Sequence, residues 1–214
     1  MVPVKVRCLD AHRETKLAIG HGAAVLGLTP HMPGGSGVSG EDLIASIWRS
    51  LPAGVASFLL TDSTHASEIT AQQKRCRTTA VQVCHQVSGE VQEKLRVALP
   101  GIVIVQVAQL WGPEPVKEAR RMACTADAIL LDSGGPGLPV AEPGGAEPVD
   151  DWAVSKAVRE AVTVPVLLAG GLGPDNVRSA VEEVRPFGVG VCRGVRTDGR
   201  LDGVKLKRFM AALA

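Results

Sequence analysis

The sequence has no tyrosine and only six other aromatic residues, three Trp and three Phe, among its 214 residues. So few aromatic rings argue against functions that stack nucleic-acid bases or enclose quaternary ammonium groups. An excess of charge of one sign is also lacking, because 23 basic and 22 acidic side chains leave a formal net charge of +1. This balance argues against nucleic acid or an anionic membrane surface as a partner.

Long hydrophobic runs are missing as well. No stretch reaches the roughly 18 uninterrupted apolar residues of a transmembrane helix, so we expect no membrane span. The first seven residues, Met-Val-Pro-Val-Lys-Val-Arg, carry too much charge in too short an apolar run for a secretory signal peptide. A cytoplasmic location is therefore expected.

Cysteines are few and irregularly spaced. An odd number without a Cys-x-x-Cys pair predicts reduced thiols rather than a disulfide framework or a metal site. No flavin or nicotinamide motif is present, so neither a cofactor nor a metal is expected. The five cysteines are Cys8, Cys76, Cys84, Cys124 and Cys192.

Short β-branched runs recur along the whole chain, and helical patterns lie between them. Strands are predicted at residues 4–9, 24–28, 56–61, 79–84, 102–110, 128–133, 164–171 and 188–194. Helices are predicted at residues 40–50, 88–98, 113–124, 152–161, 174–184 and 202–213, among others.

Eight successive strand–helix units predict an α/β fold, a single (β/α)8 TIM barrel that forms one domain over residues 1–214. An open doubly wound sheet is the alternative, but no Gly-x-Gly-x-x-Gly follows the first strand. Residues 134–150 contain five Gly and four Pro, which predicts a mobile loop after the sixth strand.

The strongest motif is Pro-Val-Leu-Leu-Ala-Gly-Gly-Leu-Gly-Pro-Asp-Asn-Val at residues 165–177. A buried strand ends there in Gly170 and Gly171 and then opens a helix, which is typical of a backbone cradle for phosphate. A second turn, with Arg193 and Gly194, ends the eighth strand and would complete such a site. The alternatives are a tight strand–helix turn at the glycines and a solvated surface arginine at position 193.

Three further features mark the strand ends. Asp132 closes an otherwise apolar sixth strand, which favours a general acid or base over a helix cap or a loop contact. Lys5 and Arg7 alternate with valines on the first strand, so both should point into a barrel, unless the strand is a solvated edge. Cys84 and His85 are adjacent and should face opposite sides, which predicts a core cysteine and a loop histidine.

Taken in this order, these residues resemble the phosphoribosylanthranilate isomerase family, the (β/α)8-barrel enzymes of tryptophan biosynthesis. The resemblance covers nearly the whole chain and implies a phosphate-binding pole. Asp132 matches the general acid of the family. The best matching segments are residues 22–28, 127–132, 144–145 with 151–152, 165–177 and 186–189.

The sequence departs from the family at the catalytic base. The family begins with Val-Lys-Ile-Cys-Gly, whose cysteine is the base, whereas residues 4–8 read Val-Lys-Val-Arg-Cys. Arg7 therefore falls on the cysteine and Cys8 on the glycine. Arginine, with a pKa above about 12, cannot act as a base. Cys8 becomes the provisional base, provided that a bulge or a shift of register turns it inward.

The positions that resemble substrate contacts are also changed. The loop arginine that clamps the anthranilate carboxylate falls on Ser36, and the family's Gln-Leu-His-Gly begins at Gln82. A fifth-strand Lys and Arg become Gln106 and Gln109, and an acid of the eighth-strand motif becomes Arg196. We therefore expect Ser36, Gln82 and Gln109 to contact substrate, and positive charge to have moved from the aromatic-acid end to the phosphate pole.

The resemblance implies an isomerase that opens and isomerises a phosphorylated ribosylamine or a related sugar phosphate by an Amadori-type reaction. Asp132 and Cys8 would be catalytic, and Gly170, Gly171, Arg193 and Gly194 would bind phosphate. One alternative is a diverged barrel enzyme that runs an aldol or lyase step, with Arg7 catalytic. Another is a catalytically dead barrel that binds a phosphorylated metabolite. A monomer or a homodimer is compatible with each.

Overall fold

The barrel closes through eight parallel strands that pair in chain order, with β1 also beside β8. The structure, a computed structural model, describes residues 2–7, 9, 11–30, 40–110, 114–132 and 152–214. The strands are β1 (Val4–Arg7), β2 (Val25–Leu28), β3 (Ala56–Thr61), β4 (Ala80–Val83), β5 (Val103–Gln109), β6 (Ala128–Asp132), β7 (Val166–Ala169) and β8 (Gly188–Val191).

Eight α-helices follow the strands along the described chain and surround the barrel. They are α1 (His12–Gly20), α2 (Glu41–Arg49), α3 (Ala66–Cys76), α4 (Gly89–Ala98), α5 (Pro115–Ala123), α6 (Ala153–Ala161), α7 (Val177–Val184) and α8 (Gly203–Ala211). None of the helices among these residues is long and apolar enough to cross a membrane.

Local sequence explains where several helices begin. The Ser88 hydroxyl accepts from the backbone N–H of Val91 at the start of α4, and the Asp202 carboxylate caps α8 in the same way. Pro115 occupies the first turn of α5, where its missing N–H costs nothing. The predicted (β/α)8 barrel is therefore confirmed by both its strand order and its helices.

The strands are buried on both faces, as parallel barrel strands must be. Outward side chains such as Val4 and Val6 of β1 pack against the helices in the largest core cluster. Inward side chains form a second, smaller cluster inside the barrel, which includes Leu60, Val107 and Leu130. This alternation decides which polar residues reach the mouth of the barrel.

A short hairpin after β8 ties the two ends of the chain together. Its strands are β9 (Arg196–Thr197) and β10 (Arg200–Leu201), and a single 3-10 turn (Arg193–Val195) precedes it. The Glu14 carboxylate of α1 pairs with the Arg196 guanidinium at 2.8 Å and also accepts from the backbone N–H of Leu201 at 2.7 Å. Both charged side chains are about nine-tenths buried, with 8% and 10% exposed.

Two expectations from the sequence need correction, one strand boundary and the place of one arginine. The eighth strand was predicted to run to Gly194, but β8 ends at Val191 because the 3-10 turn redirects the chain. Arg196 was expected to add positive charge to the phosphate pole, but its guanidinium is committed to Glu14 on the outside of the barrel. The loop predicted at residues 134–150 lies outside the described residues.

Candidate active site

A cavity of about 670 Å³ opens at the carboxyl ends of β7 and β8. The loop after β7, the loop after β8 and the start of α7 form its walls. Barrel enzymes keep their chemistry on this face, and phosphate sites occur after strands seven and eight. The lining includes Arg7, Gly170, Gly171, Asn176, Arg193 and Gly194.

The turn after β7 depends on its paired glycines. Gly170 and Gly171 have φ angles of +90° and +60°, in the left-handed region that side chains disfavour. The Asn176 side chain holds the turn against α7, since it accepts from Gly173 N–H at 2.8 Å and donates to the Gly171 carbonyl at 3.0 Å. Sequence reasoning did not single out this asparagine, although its place just before a helix suggests a turn or capping role.

The loop after β8 approaches that turn too closely for a side chain. A Cβ added to Gly194 would lie 2.9 Å from Gly173 Cα and closer still to the Leu172 carbonyl oxygen. Arg193 precedes it on the exposed side of the 3-10 turn. The two loops thus meet backbone to backbone, at the place where barrel enzymes commonly bind phosphate. That these four residues bind phosphate stays a prediction.

The basic residues of β1 point into the barrel, as the alternation predicted. Lys5 is fully buried and Arg7 is 3% exposed, so a solvated edge strand is wrong. Gly27 of the neighbouring strand β2 makes room for both: a Cβ added there would lie 2.8 Å from the Cβ of Arg7 and 3.0 Å from the Cε of Lys5. A glycine in register with an inward basic residue, as Gly27 is with Arg7, is a sequence signal for such close packing.

Lys5 is held in the middle of the barrel. Its ammonium donates to the Gln82 side-chain oxygen and lies 5.2 Å from the centre of the Phe58 ring. Burial lowers the pKa of Lys5 to about 7, and repulsion from Arg7 adds to this effect. The amine therefore changes charge near neutral pH.

Arg7 lies above Lys5 and lines the cavity. Its Nε and Nη2 atoms are buried and have no hydrogen-bond partner in the described part of the chain. Burial lowers the pKa of Arg7, attraction by Asp132 and Cys84 opposes this, and Arg193 repels it. The guanidinium stays charged, because arginine does not lose its proton in proteins.

Asp132 ends β6 and is half-buried. It is in register with Gln109 on one side and Ala169 on the other, and Ala169 lines the cavity. The carboxyl group is thus one strand away from the cavity wall and attracts Arg7 electrostatically. This position suits the expected acid, and Gln109 lies beside it.

The other polar residues expected at the site lie on strands, and alternation along each strand decides whether they face into the barrel or toward the helices. Gln82 faces inward, bonded to Lys5 and 3.8 Å from the Cys84 sulfur. Gln106 faces outward to Gln92 of α4 at 3.0 Å, so its expected place near the aromatic-acid end is wrong. Cys84 is a buried core residue, as predicted, and burial raises the pKa of its thiol.

Two expected site residues, Cys8 and Ser36, lie outside the described residues. Cys192 takes part in a disulfide, so the expectation of reduced thiols is wrong at this position. Cys76, Cys84 and Cys124 are free thiols. Across the described ranges, no three His, Cys, Asp or Glu side chains lie close enough together to hold a metal ion.

The fold and this cavity first define a class, the (β/α)8 barrels with a glycine-lined pocket after the seventh and eighth strands. Within it, the chain belongs to the family described as N-(5'-phosphoribosyl)anthranilate (PRA) isomerase, whose family model matches residues 60–212. An N-(5'-phosphoribosyl)anthranilate isomerase from Methanocella arvoryzae is 33% identical over 166 residues, which cover 78% of this chain and 74% of that protein. One from Methanothrix thermoacetophila is 29% identical over 98% of this chain and 97% of that protein.

Solved structures show the same fold. The phosphoribosyl anthranilate isomerase from Thermotoga maritima superposes with a TM-score of 0.85 at 24% identity, over 99% of this chain and 98% of that one. A phosphoribosyl anthranilate isomerase in complex with reduced 1-(o-carboxyphenylamino)-1-deoxyribulose 5-phosphate gives a TM-score of 0.82 at 23% identity, again over 99% and 98% of the two chains.

Proposed function

We propose that the protein isomerises N-(5'-phosphoribosyl)anthranilate in tryptophan biosynthesis, in the cytoplasm and as a monomer or homodimer. Family membership supports the reaction. The single structural observation that carries it is Asp132, a half-buried carboxyl group at the end of β6, one strand from the wall of a cavity with a glycine cradle. Gly170, Gly171, Arg193 and Gly194 would hold the phosphate and thereby place the ribose ring near Asp132.

The reaction begins with the ring oxygen of the ribose. Asp132 donates a proton to this oxygen as the C1–O bond breaks, and the amine nitrogen lone pair forms a C1=N iminium. A base then removes the proton from C2, and that electron pair forms the C1=C2 bond while the iminium electrons return to nitrogen. The enaminol tautomerises to the aminoketone. Acid and base catalysis of this kind contribute about 10²–10⁴-fold each.

The base is assigned on chemical grounds, since Cys8 lies outside the described residues. A thiol is chemically suited to take the C2 proton, whereas the permanently charged Arg7 is not. We therefore assign Cys8 as base, and Ser36, Gln82 and Gln109 as substrate contacts. Because Cys192 takes part in a disulfide, activity is to be measured with and without a thiol reductant.

The test generates phosphoribosylanthranilate in situ, adds the purified protein and follows the loss of substrate fluorescence. We expect turnover by the wild type and at least a 100-fold loss in Asp132→Asn, which is isosteric but cannot donate an acidic proton. Glu183→Gln, on an exposed position of α7, is the matched control and should retain activity. A folded wild-type protein without turnover in reducing buffer would refute the proposal.

One observation favours a second candidate, an aldol or lyase step on a sugar phosphate. Arg7 stands where the resemblance places the catalytic base and is buried at the cavity, and its fixed positive charge would stabilise an enolate rather than a cationic iminium. If this candidate is correct, Arg7→Cys should gain phosphoribosylanthranilate isomerase activity that the wild type lacks. Equal or lower activity in Arg7→Cys would eliminate it.

A further inference from the structure

The cavity holds a buried cation that no described group neutralises by hydrogen bonding. We propose that Arg7 forms a second anion subsite, so that the cavity takes phosphorylated sugar acids, with the phosphate in the glycine cradle and a carboxylate on Arg7. This inference rests on the proposed phosphate cradle but not on the isomerase reaction.

The first argument is the state of the guanidinium. Arg7 is 3% exposed, and its Nε and Nη2 donors are unpartnered among the described residues. A buried donor without an acceptor is destabilising, more so when it is charged. These two atoms lie on one edge of the guanidinium, the edge that binds both oxygens of a carboxylate at once.

The second argument is that other basic groups at the cavity are already engaged. Lys205 donates to the Arg196 carbonyl oxygen at 2.7 Å, and Arg208 pairs with Asp175 at 2.9 Å. Neither is in the barrel interior. Arg7 differs from them, because two of its donors have no hydrogen-bond partner among the described residues and because it points in from β1 rather than from the rim.

The third argument is spacing. Val6 is in register with Val191, so Arg7 lies at the level of Cys192, directly before Arg193 and Gly194. Adjacent strands are about 4.8 Å apart, so the guanidinium and the cradle are separated by no more than a short carbon chain. A phosphate and a carboxylate on one small sugar acid span such a distance.

The test compares two probes that differ at one carbon. 3-Phosphoglycerate and glycerol 3-phosphate share a phosphate on a three-carbon chain, but only the first has a carboxylate. By isothermal titration calorimetry at physiological salt, which screens long-range attraction, we expect wild-type protein to bind 3-phosphoglycerate about tenfold more tightly or better, as for a charge-assisted pair. Arg7→Met should abolish this preference and leave the Kd for glycerol 3-phosphate within about twofold.

Two further variants keep the result interpretable. Arg7→Lys retains the charge but loses the two-donor edge, so its preference should fall between those of the wild type and Arg7→Met. Arg208→Met, at an exposed ion pair on the rim, should retain the full preference. Circular dichroism confirms that each variant is folded before titration.

Equal affinity of the wild type for the two probes would overturn the carboxylate subsite and leave the cradle standing. A preference for 3-phosphoglycerate that survives in Arg7→Met would also overturn it, since Arg7 would then not bind the carboxylate. If Arg7→Met bound neither probe, the subsite would be overturned as well, since Arg7 would then belong to the phosphate site. Binding of neither probe by the wild type would overturn the cradle as well. Turnover of phosphoribosylanthranilate is measured separately and reports on the isomerase proposal alone.

Discussion

The buried amine of Lys5 should make the stability of the barrel rise with pH just above neutrality. Its pKa is about 7 in the folded protein and 10.5 in its ordinary state, which represents the unfolded chain. Between these values the unfolded chain binds a proton that the folded protein does not. Stability increases with pH wherever the unfolded state binds more protons. The contribution of Lys5 is therefore least favourable below pH 7 and improves as pH rises.

The size of the effect follows from the two pKa values. Between pH 7.5 and 8.5 the unfolded amine is fully protonated and the folded amine is mostly neutral, so the difference approaches one proton. The free energy of unfolding should rise by about 1 kcal/mol over this unit, and by about 2 kcal/mol from pH 7 to 9. For a chain of this length, each 1 kcal/mol raises Tm by about 2–4 °C.

Buried thiols limit the useful range at its upper end. Burial raises the pKa of Cys76 to about 12, and that of Cys84 is raised as well. Because the unfolded thiols ionise near pH 9, they bind fewer protons than the folded ones above that pH, and stability then falls. The net rise in the free energy of unfolding is thus confined to about pH 7–9.

Urea denaturation at half-unit steps from pH 7 to 9 measures this directly. Lys5→Met should lower the slope by about 1 kcal/mol per pH unit, even though it leaves the Gln82 oxygen without its donor. Lys207→Met, at an exposed lysine, should keep the wild-type slope. Arg7→Met removes a repulsive neighbour, so the rise should move to higher pH. An equal slope in wild type and Lys5→Met would refute the assignment.

Three further outcomes are expected. Gly194→Ala should weaken the binding of inorganic phosphate at least tenfold by calorimetry, because the added Cβ would clash with the Leu172 backbone. The control Gly40→Ala adds a Cβ in open space and should bind phosphate as the wild type does, and equal affinities of all three proteins would contradict the cradle. Arg196→Met should lower the free energy of unfolding in urea by about 3–5 kcal/mol, because the Glu14 carboxylate stays buried without its guanidinium partner, and Glu14→Gln added to this variant should restore part of the loss. A change under about 1 kcal/mol would contradict a buried ion pair. Arg7→Met should raise the free energy of unfolding by about 1–3 kcal/mol, and a loss would mean that the guanidinium is already satisfied.

Alternation along the chain was enough to predict the barrel, because each buried strand is followed by a helical pattern and closure leaves no exposed edge. The inward direction of Lys5 and Arg7 was also predictable, since charge and valine alternate on β1. The same logic failed at Gln106. Its neighbours Val105 and Val107 are inward and Ile104 is outward, so β5 is apolar on both faces and period two cannot tell which one meets the helices.

Other parts of the site depend on contacts between distant residues. Arg196 was read as part of the phosphate pole from its position after the eighth strand, but the 3-10 turn carries it to Glu14, 182 residues away along the chain. The hydrogen bond from Lys5 to Gln82 joins β1 to β4 across the barrel interior. No local pattern encodes such pairs, which exist only after the sheet has closed.

The pairing of Glu14 with Arg196 and the Leu201 backbone has a consequence for folding during synthesis. The carboxylate belongs to the first helix, but both of its partners are synthesised 182 or more residues later. At about 5–20 residues per second, the 182 residues between Glu14 and Arg196 take roughly 9–36 s to translate. Throughout that time the first helix can dock only without the contacts of Glu14 to Arg196 and Leu201. The first helix therefore completes these contacts only after the β9–β10 hairpin has been synthesised, and a ribosome stalled before residue 196 holds a chain in which neither contact can form.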